Sequence, residues 1–309
     1  MTAPRVASLL PAATEILCTL GGEELLVARS HECDFPRSIE RTPVCTASRI
    51  NSLCSSAEIE AQVKELQKSG TSLYTVDAAL LRKQRPSLIL TQGQCDVCAV
   101  SETDIQTTLA DWPGTKPEVL ALSPKHLVDL WEDMRRVGEA IGLPDQGRNL
   151  IKPLKIRVAD IIVKTSGMTR RPRVACIEWI EPLMIAGNWV PELVQLAGGS
   201  SCLAKPGEHS DWIQWGDLTK ARPDIILMMP CGFDIPRIRR EMTSLRERSE
   251  WRALNAVKNN RVYLLDGNQY FNRPGPRLVD SLEILCEILH PNLFEPKHKG
   301  RDWEPWVLD

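Results

Sequence analysis

The sequence has no excess of charge of either sign. Its 309 residues contain 38 basic and 40 acidic side chains, which leaves a formal net charge of −2. A protein that binds nucleic acid through a basic face carries a surplus of Lys and Arg, so this balance argues against nucleic acid as a partner. The apolar content of 43% is that of an ordinary globular protein, and the length suits two domains.

Long apolar segments are also missing. The longest runs have about seven apolar residues, whereas a membrane-spanning helix needs roughly 20. The sequence does not begin with a basic stretch followed by an apolar core, as a secretory signal would. We therefore expect a protein that does not span a membrane. It should be cytoplasmic if Met1 is the native start, and periplasmic if an upstream signal has been removed.

Motifs of several common enzyme classes are absent. Neither G-x-G-x-x-G nor G-x-x-x-x-G-K-[ST] follows a predicted strand, so nucleotide binding is not supported. No G-x-S-x-G elbow of a hydrolase occurs. Glu15, Glu32 and Glu178 lie at predicted strand ends and are candidate general bases, but the sequence pairs them with no nucleophile. These observations favour a binding protein and leave the question of an enzyme open.

Cysteine, by contrast, is abundant, with 10 residues. In a reducing compartment, thiols indicate metal binding, redox chemistry or burial before disulfides. Cys95 and Cys98 are spaced so that two thiolates can bind one tetrahedral ion, and His31 and Cys33 follow a neighbouring predicted strand. If the two loops meet, they supply a Cys₃His set suited to zinc or an iron–sulfur cluster. A redox-active dithiol and inert burial remain alternatives, and His31 is also a candidate axial ligand to cobalt or haem iron.

Short apolar runs alternate with amphipathic stretches along the chain, which is typical of parallel strands joined by helices. The sequence predicts an α/β fold with two Rossmann-like lobes of mainly parallel sheet, joined by one long rigid helix. The N-terminal lobe should cover residues 1–145, the connecting helix 146–171 and the C-terminal lobe 172–309. Pro153 is expected in the first turn of that helix, where proline is tolerated. Trp303 and Trp306 should pack the C-terminal tail back on the surface or onto a partner.

Ligands of open parallel sheets bind beyond the carboxyl ends of the strands. In the second lobe, aromatic and polar residues concentrate in those loops. Flat ligands stack on aromatic rings, while Arg and Asn side chains bind peripheral amides or carboxylates, although core packing explains most aromatic residues. Tyr270 and Phe271 are adjacent, so at least one should face away from the core. The predicted ligand-binding residues are Glu178, Trp179, Asn188, Trp189, Tyr270, Phe271 and Arg273.

Several segments in this order resemble the iron-siderophore and cobalamin periplasmic-binding family, the class III substrate-binding proteins. The resemblance covers nearly the whole chain and is closest to the cobalamin-binding proteins of bacterial vitamin uptake. Its segments are RVASLLPAATEILCTLG, ARSHECDFP, RPSLIL, ARPDIILMMP and YFNRPGPRLVDSLEIL.

The resemblance implies two α/β lobes that hold a flat, metal-centred ligand such as a corrinoid or haem between them. It also implies delivery to the membrane subunits of an ABC transporter through one acidic residue on each lobe, and Glu102 and Asp217 lie near those positions. The chain departs from the family in showing no signal peptide. It also departs in its sulfur-rich loops around His31 and Cys95, where transport proteins carry neutral or aromatic residues.

Two hypotheses follow. The first is a small-molecule binding protein that holds a corrinoid-like or metal-containing ligand, such as cobalamin or haem, in the interlobe cleft. The alternative is a cytoplasmic metal- or iron–sulfur-binding protein or enzyme that uses the cluster of His31, Cys33, Cys95 and Cys98.

Overall fold

The computed structural model describes residues 3–93 and 99–307. The chain forms two compact units. Unit 1 extends to Pro153, except that Ser55–Ala57 and Lys125–Leu127 are assigned to unit 2, which otherwise begins at Leu154.

Unit 1 contains a four-stranded parallel sheet in the order β2-β1-β5-β6 and a separate antiparallel pair, β3 and β4. Its central strands, β1 and β5, are buried along their whole length, because helices cover both faces of a parallel sheet and apolar runs satisfy both. The strands are β1 (Val6–Ser8), β2 (Leu26–Arg29), β3 (Thr46–Ser48), β4 (Tyr74–Val76), β5 (Leu88–Gln92) and β6 (Glu118–Leu122).

The helices that begin in the first half of the chain are α1 (Pro11–Thr19), α2 (Ser56–Lys68), α3 (Ala78–Gln84), α4 (Glu102–Thr108), α5 (Leu127–Ala140) and α6 (Pro144–Thr165). Local sequence sets several of their starts. Helix α1 has Pro11 in its first turn, where the missing N–H costs nothing. Helix α4 begins at a capping box in which the Ser101 hydroxyl accepts from the Asp104 N–H and Asp104 accepts from the Ser101 N–H.

Helix α6 begins earlier than the sequence predicts. Because it starts at Pro144, Pro153 lies in its interior and not in its first turn. The expected position of Pro153 is therefore wrong. Its side chain is exposed, and the helix there lacks the one backbone hydrogen bond that proline cannot donate, while the ring crowds the carbonyl one turn earlier. The boundary between the two units falls at this residue.

Unit 2 contains a seven-stranded mixed sheet in the order β10-β8-β7-β11-β12-β13, with β9 paired to β7. Strands β7, β11 and β12 are parallel, and β13 closes one edge antiparallel to β12. The strands are β7 (Arg173–Trp179), β8 (Met184–Ile185), β9 (Ser200–Ser201), β10 (Asp211–Trp212), β11 (Ile225–Met228), β12 (Val262–Leu265) and β13 (Trp303–Trp306). The helices are α7 (Val190–Leu196), α8 (Trp215–Ala221), α9 (Ile235–Glu241), α10 (Thr243–Arg246), α11 (Ser249–Ala253), α12 (Asn255–Lys258) and α13 (Leu278–Leu289).

The predicted fold class, α/β with two lobes of mainly parallel sheet and one long helix between them in the sequence, is confirmed. Within residues 3–93 and 99–307, no helix combines the length and the apolarity that crossing a bilayer would require.

Candidate functional site

The carboxyl ends of β1 and β2 carry a buried network of hydroxyl and thiol groups. The Thr14 hydroxyl lies 2.7 Å from Ser8 Oγ and 3.0 Å from Cys33 Sγ. The Cys33 thiol is 1% exposed and points to the Ser8 carbonyl at 3.8 Å. The structure therefore places the Cys33 thiol inside unit 1, where it packs against its neighbours.

His31 lies in the same loop but is only half-buried. Its Nδ1 is 2.7 Å from the hydroxyl oxygen of Thr46, which also accepts the His31 backbone N–H at 3.0 Å and donates to Ser30 Oγ at 3.0 Å. Thr46 therefore holds the His31 ring at Nδ1. Burial lowers the pKa of His31, so the ring is neutral at pH 7. A neutral imidazole anchored through one nitrogen is the form in which histidine binds a metal.

The predicted Cys₃His cluster stays untested, because only two of its four members, His31 and Cys33, are described by the structure. Cys95 and Cys98 lie in residues 94–98, outside the described residues. Within the described ranges, no three His, Cys, Asp or Glu side chains come together in a way that could hold a metal ion. Burial raises the pKa of Cys45 to about 12, and its thiol lies 3.4 Å from the Arg29 carbonyl. A protonated, buried thiol is a packing group and a poor ligand.

In unit 2, Glu178 is the second-to-last residue of strand β7 and is held by its neighbours. Its carboxylate accepts the Ser210 hydroxyl at 2.7 Å, and Ser210 Oγ accepts the Gly187 N–H at 3.0 Å. Ser210 is buried, and the space beside Gly187 is filled, because a Cβ there would lie 2.5 Å from the His209 backbone. This carboxylate therefore fastens the segment around Ser210 to the end of β7.

Trp179 presents an indole ring beside a second aromatic residue. Its ring centroid is 5.2 Å from that of Phe233 at an interplanar angle of 59°, and the Arg237 guanidinium lies 3.5 Å from the Phe233 centroid. Trp179 itself is half-buried, and its Nε1 has no hydrogen-bond partner among the described residues. The Arg237 guanidinium thus lies over the Phe233 ring, and the Trp179 indole meets that ring at a tilt, at the carboxyl ends of β7 and β11.

Two of the predicted aromatic ligand residues are core residues. Trp189 is 8% exposed and donates its Nε1–H to the Phe271 carbonyl at 2.8 Å, while Phe271 is completely buried. Asn188 adopts a positive φ of 51° and bonds through its backbone to Glu208 at 2.6 Å. Tyr270, next to Phe271, keeps a half-exposed side chain.

The loop after β12 is held by its own polar side chains. The Asp266 carboxylate accepts the N–H groups of Asn268 at 2.9 Å and Gln269 at 2.8 Å, and burial raises its pKa. Arg273, 9% exposed, donates to the Asn268 side-chain oxygen at 2.9 Å. Asn272 donates to two main-chain carbonyls, at 2.9 and 3.0 Å. This loop is a braced element that carries Tyr270.

Sequence reasoning missed three contributors to these loops. Thr46 anchors His31 from 15 residues away, and Ser210 holds Glu178 from 32 residues away. Arg237 covers Phe233 from the first turn of α9. A hydroxyl or guanidinium that acts through a distant part of the chain leaves no local pattern, so the sequence offers no signal for the first two. The pair Phe233 and Arg237, spaced four residues apart, is the one local signal among them.

Comparison with known proteins gives consistent results along almost the whole chain. A family model described as "Periplasmic binding protein" matches residues 6–269. An ABC transporter substrate-binding lipoprotein of Bacillus subtilis strain 168 is 22% identical over 299 residues, which cover 94% of this chain and 81% of the lipoprotein. A vitamin B12-binding protein of Vibrio cholerae is 22% identical over 303 residues, covering 93% of this chain and 89% of its own.

Solved structures agree on the fold. A periplasmic haem-binding protein of Pseudomonas aeruginosa superposes with a TM-score of 0.71 at 17% identity, covering 94% of each chain. The periplasmic vitamin B12 binding protein of Vibrio cholerae superposes with a TM-score of 0.67 at 19% identity, covering 93% of this chain and 96% of that one.

The relatives named here are periplasmic proteins or a lipoprotein. They give no support to the predicted cytoplasmic location, and they do not favour the alternative of a cytoplasmic enzyme or iron–sulfur protein. The family model spans most of the sequence, and the solved structures share the α/β fold described above. This chain therefore belongs to the periplasmic binding protein family.

Proposed function

We propose that this protein is the substrate-binding component of an ABC transporter and that its ligand is a metal-centred macrocycle, cobalamin or haem. The family match and the names of the relatives support the class of protein and the class of ligand. The observation within this chain that carries the proposal is His31, a neutral imidazole anchored at Nδ1.

A cobalt or iron ion in a macrocycle already has four nitrogen ligands in the plane. It needs from the protein only one axial donor, so no cluster of protein ligands is required. A single neutral imidazole with its proton on Nδ1 would supply that donor through Nε2, and Thr46 fixes the orientation of the ring. His31 would hold the metal of the macrocycle, and the macrocycle would supply a metal ion that accepts this nitrogen donor.

The periphery of such a ligand is flat and partly polar. Unit 2, taken by itself, offers a flat ligand the half-buried indole of Trp179, which contacts Phe233, whose ring is covered by Arg237. The half-exposed ring of Tyr270 offers a second surface. Phe271, Trp189 and Arg273 would act indirectly, since they shape the loops and are themselves buried.

Absorption spectroscopy tests the ligand and the donor together. Purified protein is titrated with aquocobalamin and, separately, with hemin. We expect saturable binding of one of them and a spectral change that reports an imidazole nitrogen on the metal. His31→Ala should lose that spectral change, whereas His209→Ala, at an exposed histidine of unit 2, should retain it. Binding without any difference between the two variants would contradict the role of His31, and no binding of either macrocycle would contradict the ligand class.

The partner follows from the same proposal. We infer delivery to the membrane subunits of an ABC transporter and, from the periplasmic and lipoprotein relatives, a location outside the cytoplasm. Glu102, the exposed first residue of α4, and Asp217, in the first turn of α8, are the candidate docking carboxylates. Fractionation of cells that express the gene from its own start tests the location. Recovery of the protein only with the cytoplasmic fraction would contradict it.

A further inference from the structure

The segment that follows α13 in unit 2 is attached to that helix through a buried carboxylate. Glu287, 4% exposed, accepts the main-chain N–H groups of Lys297 at 2.8 Å and His298 at 3.0 Å, and the Trp303 indole N–H at 2.7 Å. The His298 carbonyl accepts the Asp302 N–H at 2.9 Å, which closes a turn. Residues 297–302, named the tail turn from here on, therefore lie against α13 and lead directly into β13.

The His298 ring adds a second attachment, which depends on charge. Nδ1 lies 2.7 Å from Asp302 Oδ2 within the tail turn, and Nε2 lies 3.7 Å from Glu283 Oε2 on α13. The His298 side chain is only 9% exposed, so water screens these contacts weakly. An imidazolium ion carries an N–H on both nitrogens and therefore attracts both carboxylates at once.

Carboxylates outnumber guanidinium groups around this ring. The ionisable residues that face it come from each element packed against it: Glu283 and Glu287 of α13, Arg301 and Asp302 of the tail turn, and Tyr270 of the loop after β12. Arg157 of α6 acts through Glu283, which it binds at 2.9 Å while it also binds Asp280 at 2.5 Å. The hydrogen bond to Asp302 and the proximity of Glu283 raise the pKa of His298 to about 9.

We propose that His298 is a pH-operated latch, which in its charged form attaches the tail turn to α13 and which, on losing its proton, lets that turn open while the rest of unit 2 stays folded. A neutral imidazole has one N–H, so it can serve only one of the two carboxylates. The other carboxylate then faces a lone pair of the ring. Either loss weakens the attachment, because Glu283 belongs to the helix and Asp302 to the turn. The latch needs no ligand, so it is independent of the proposed function.

The opening is local because the neighbouring elements are held by other means. Strand β13 pairs with β12 through main-chain hydrogen bonds and buries Trp303 and Trp306, and neither contribution changes with pH in this range. In the tail turn itself, the side chains of Lys297, Lys299 and Arg301 are exposed, so little apolar area holds the turn in place. The hydrogen bonds to Glu287 remain after deprotonation, and the fraction of molecules in which they are open increases.

Titration of the imidazole signals by NMR tests the first half of the proposal on the wild type alone. The chain has five histidines. We expect one of them to titrate near pH 9, and this signal should be missing in His298→Gln. If none of the five titrates above about pH 8, the proposal is overturned, whether or not the variant folds.

Trypsin cleavage tests the second half, since cleavage of a transiently open segment follows the population of its open form. Lys297, Lys299 and Arg301 provide cleavage sites in the tail turn, and Arg170, in an exposed segment after α6, provides an internal reference. Mass spectrometry measures both cleavages at about pH 7 and about pH 10. In the wild type we expect cleavage of the tail turn relative to Arg170 to rise about 10-fold or more, within an upper limit of roughly 300-fold from the shift of the His298 pKa.

Two variants and one parallel measurement decide the outcome. His298→Gln cannot carry the charge, so its relative cleavage should be high at both pH values, whereas His209→Gln, at an exposed position in another loop, should keep the rise of the wild type. A constant ratio in the wild type, or an equal rise in His298→Gln, would overturn the latch. So would loss of the native circular dichroism spectrum in parallel with the cleavage, because the rest of unit 2 must stay folded.

Discussion

Burial on α5 disfavours the ionised form of the Asp133 carboxylate. Replacing Asp133 with a neutral residue should therefore stabilise the protein. The side chain of Asp133 is 6% exposed. Oδ1 lies 3.1 Å from Arg136, but Oδ2 is buried without a hydrogen-bond partner among the described residues. Burial, against the opposing attraction of Arg136, raises the pKa of Asp133 to about 6. The folded state therefore resists ionisation of this group, whereas the unfolded chain ionises it at its ordinary value of about 3.9.

The direction with pH follows from these two values. Below about pH 4 the group is protonated in both states and costs little stability. As the pH rises toward about 6, the unfolded state gains more from ionisation, and above that the cost is constant. A shift of about two units corresponds to roughly 3 kcal/mol as an upper bound. Asp133→Asn has the shape of the neutral acid, so it should stabilise the protein by about 1 to 3 kcal/mol at pH 8 and by less than about 1 kcal/mol at pH 4.

Urea denaturation of the wild type and Asp133→Asn at both pH values measures this difference. Asp145→Asn is the matched control, because the Asp145 side chain is 75% exposed at the start of the next helix, and its replacement should change stability little at either pH. Equal effects of Asp133→Asn at pH 4 and pH 8, or destabilisation at pH 8, would refute the reasoning.

Three further predictions concern single side chains. The carboxylates of Asp302, which accepts a hydrogen bond from the His298 ring, and of Glu283, which lies 3.7 Å from that ring, raise the pKa of His298 to about 9. The stability that they contribute, up to about 3 kcal/mol, is therefore complete below pH 6.5 and is lost as the pH rises through 9; His298→Gln should abolish this part of the pH dependence in urea denaturation. Ser101→Ala removes the cap of α4 and should cost about 1 kcal/mol in thermal or urea unfolding, and an equal loss in Ser69→Ala, at an exposed position, would contradict the capping argument. Thr46→Val removes the anchor of His31 and should weaken binding of the macrocycle about 10-fold in titrations, while Thr75→Val should leave the affinity unchanged.

The sequence predicts the layout of the fold better than the contents of its loops. Alternating apolar and amphipathic segments suffice for two α/β lobes, because buried parallel strands and amphipathic helices each have a distinct period. The start of α6 at Pro144 is not predictable in the same way, since the apolar spacing of the helix begins only further on and Pro153 suggests a first turn.

The candidate site shows the same limit more strongly. The motif around His31 singles out the histidine but not Thr46, which orients it, since the contact is made by folding. Tyr270 and Phe271 are adjacent aromatic residues of similar size, and only the geometry of the turn decides that Phe271 is completely buried. The predicted return of the tail is seen in β13, but the hydrogen bond that joins it to α13, from the Trp303 indole to Glu287, depends on segments that meet only in the folded unit.

Strand β13 has a consequence for solubility. It pairs along the whole of β12, from Val262 with Trp306 to Leu265 with Trp303, and buries both tryptophans. Without it, β12 would be an edge strand whose unpaired main-chain N–H and C=O groups could pair with a strand of another molecule, which is the usual start of edge-to-edge aggregation. Strand β13 is itself only four residues long and contains Pro305, two properties that discourage another strand from adding in turn. The last residues of the fold thus serve as a terminating edge, and a chain cut before Trp303 would be expected to self-associate before it lost the rest of its sheet.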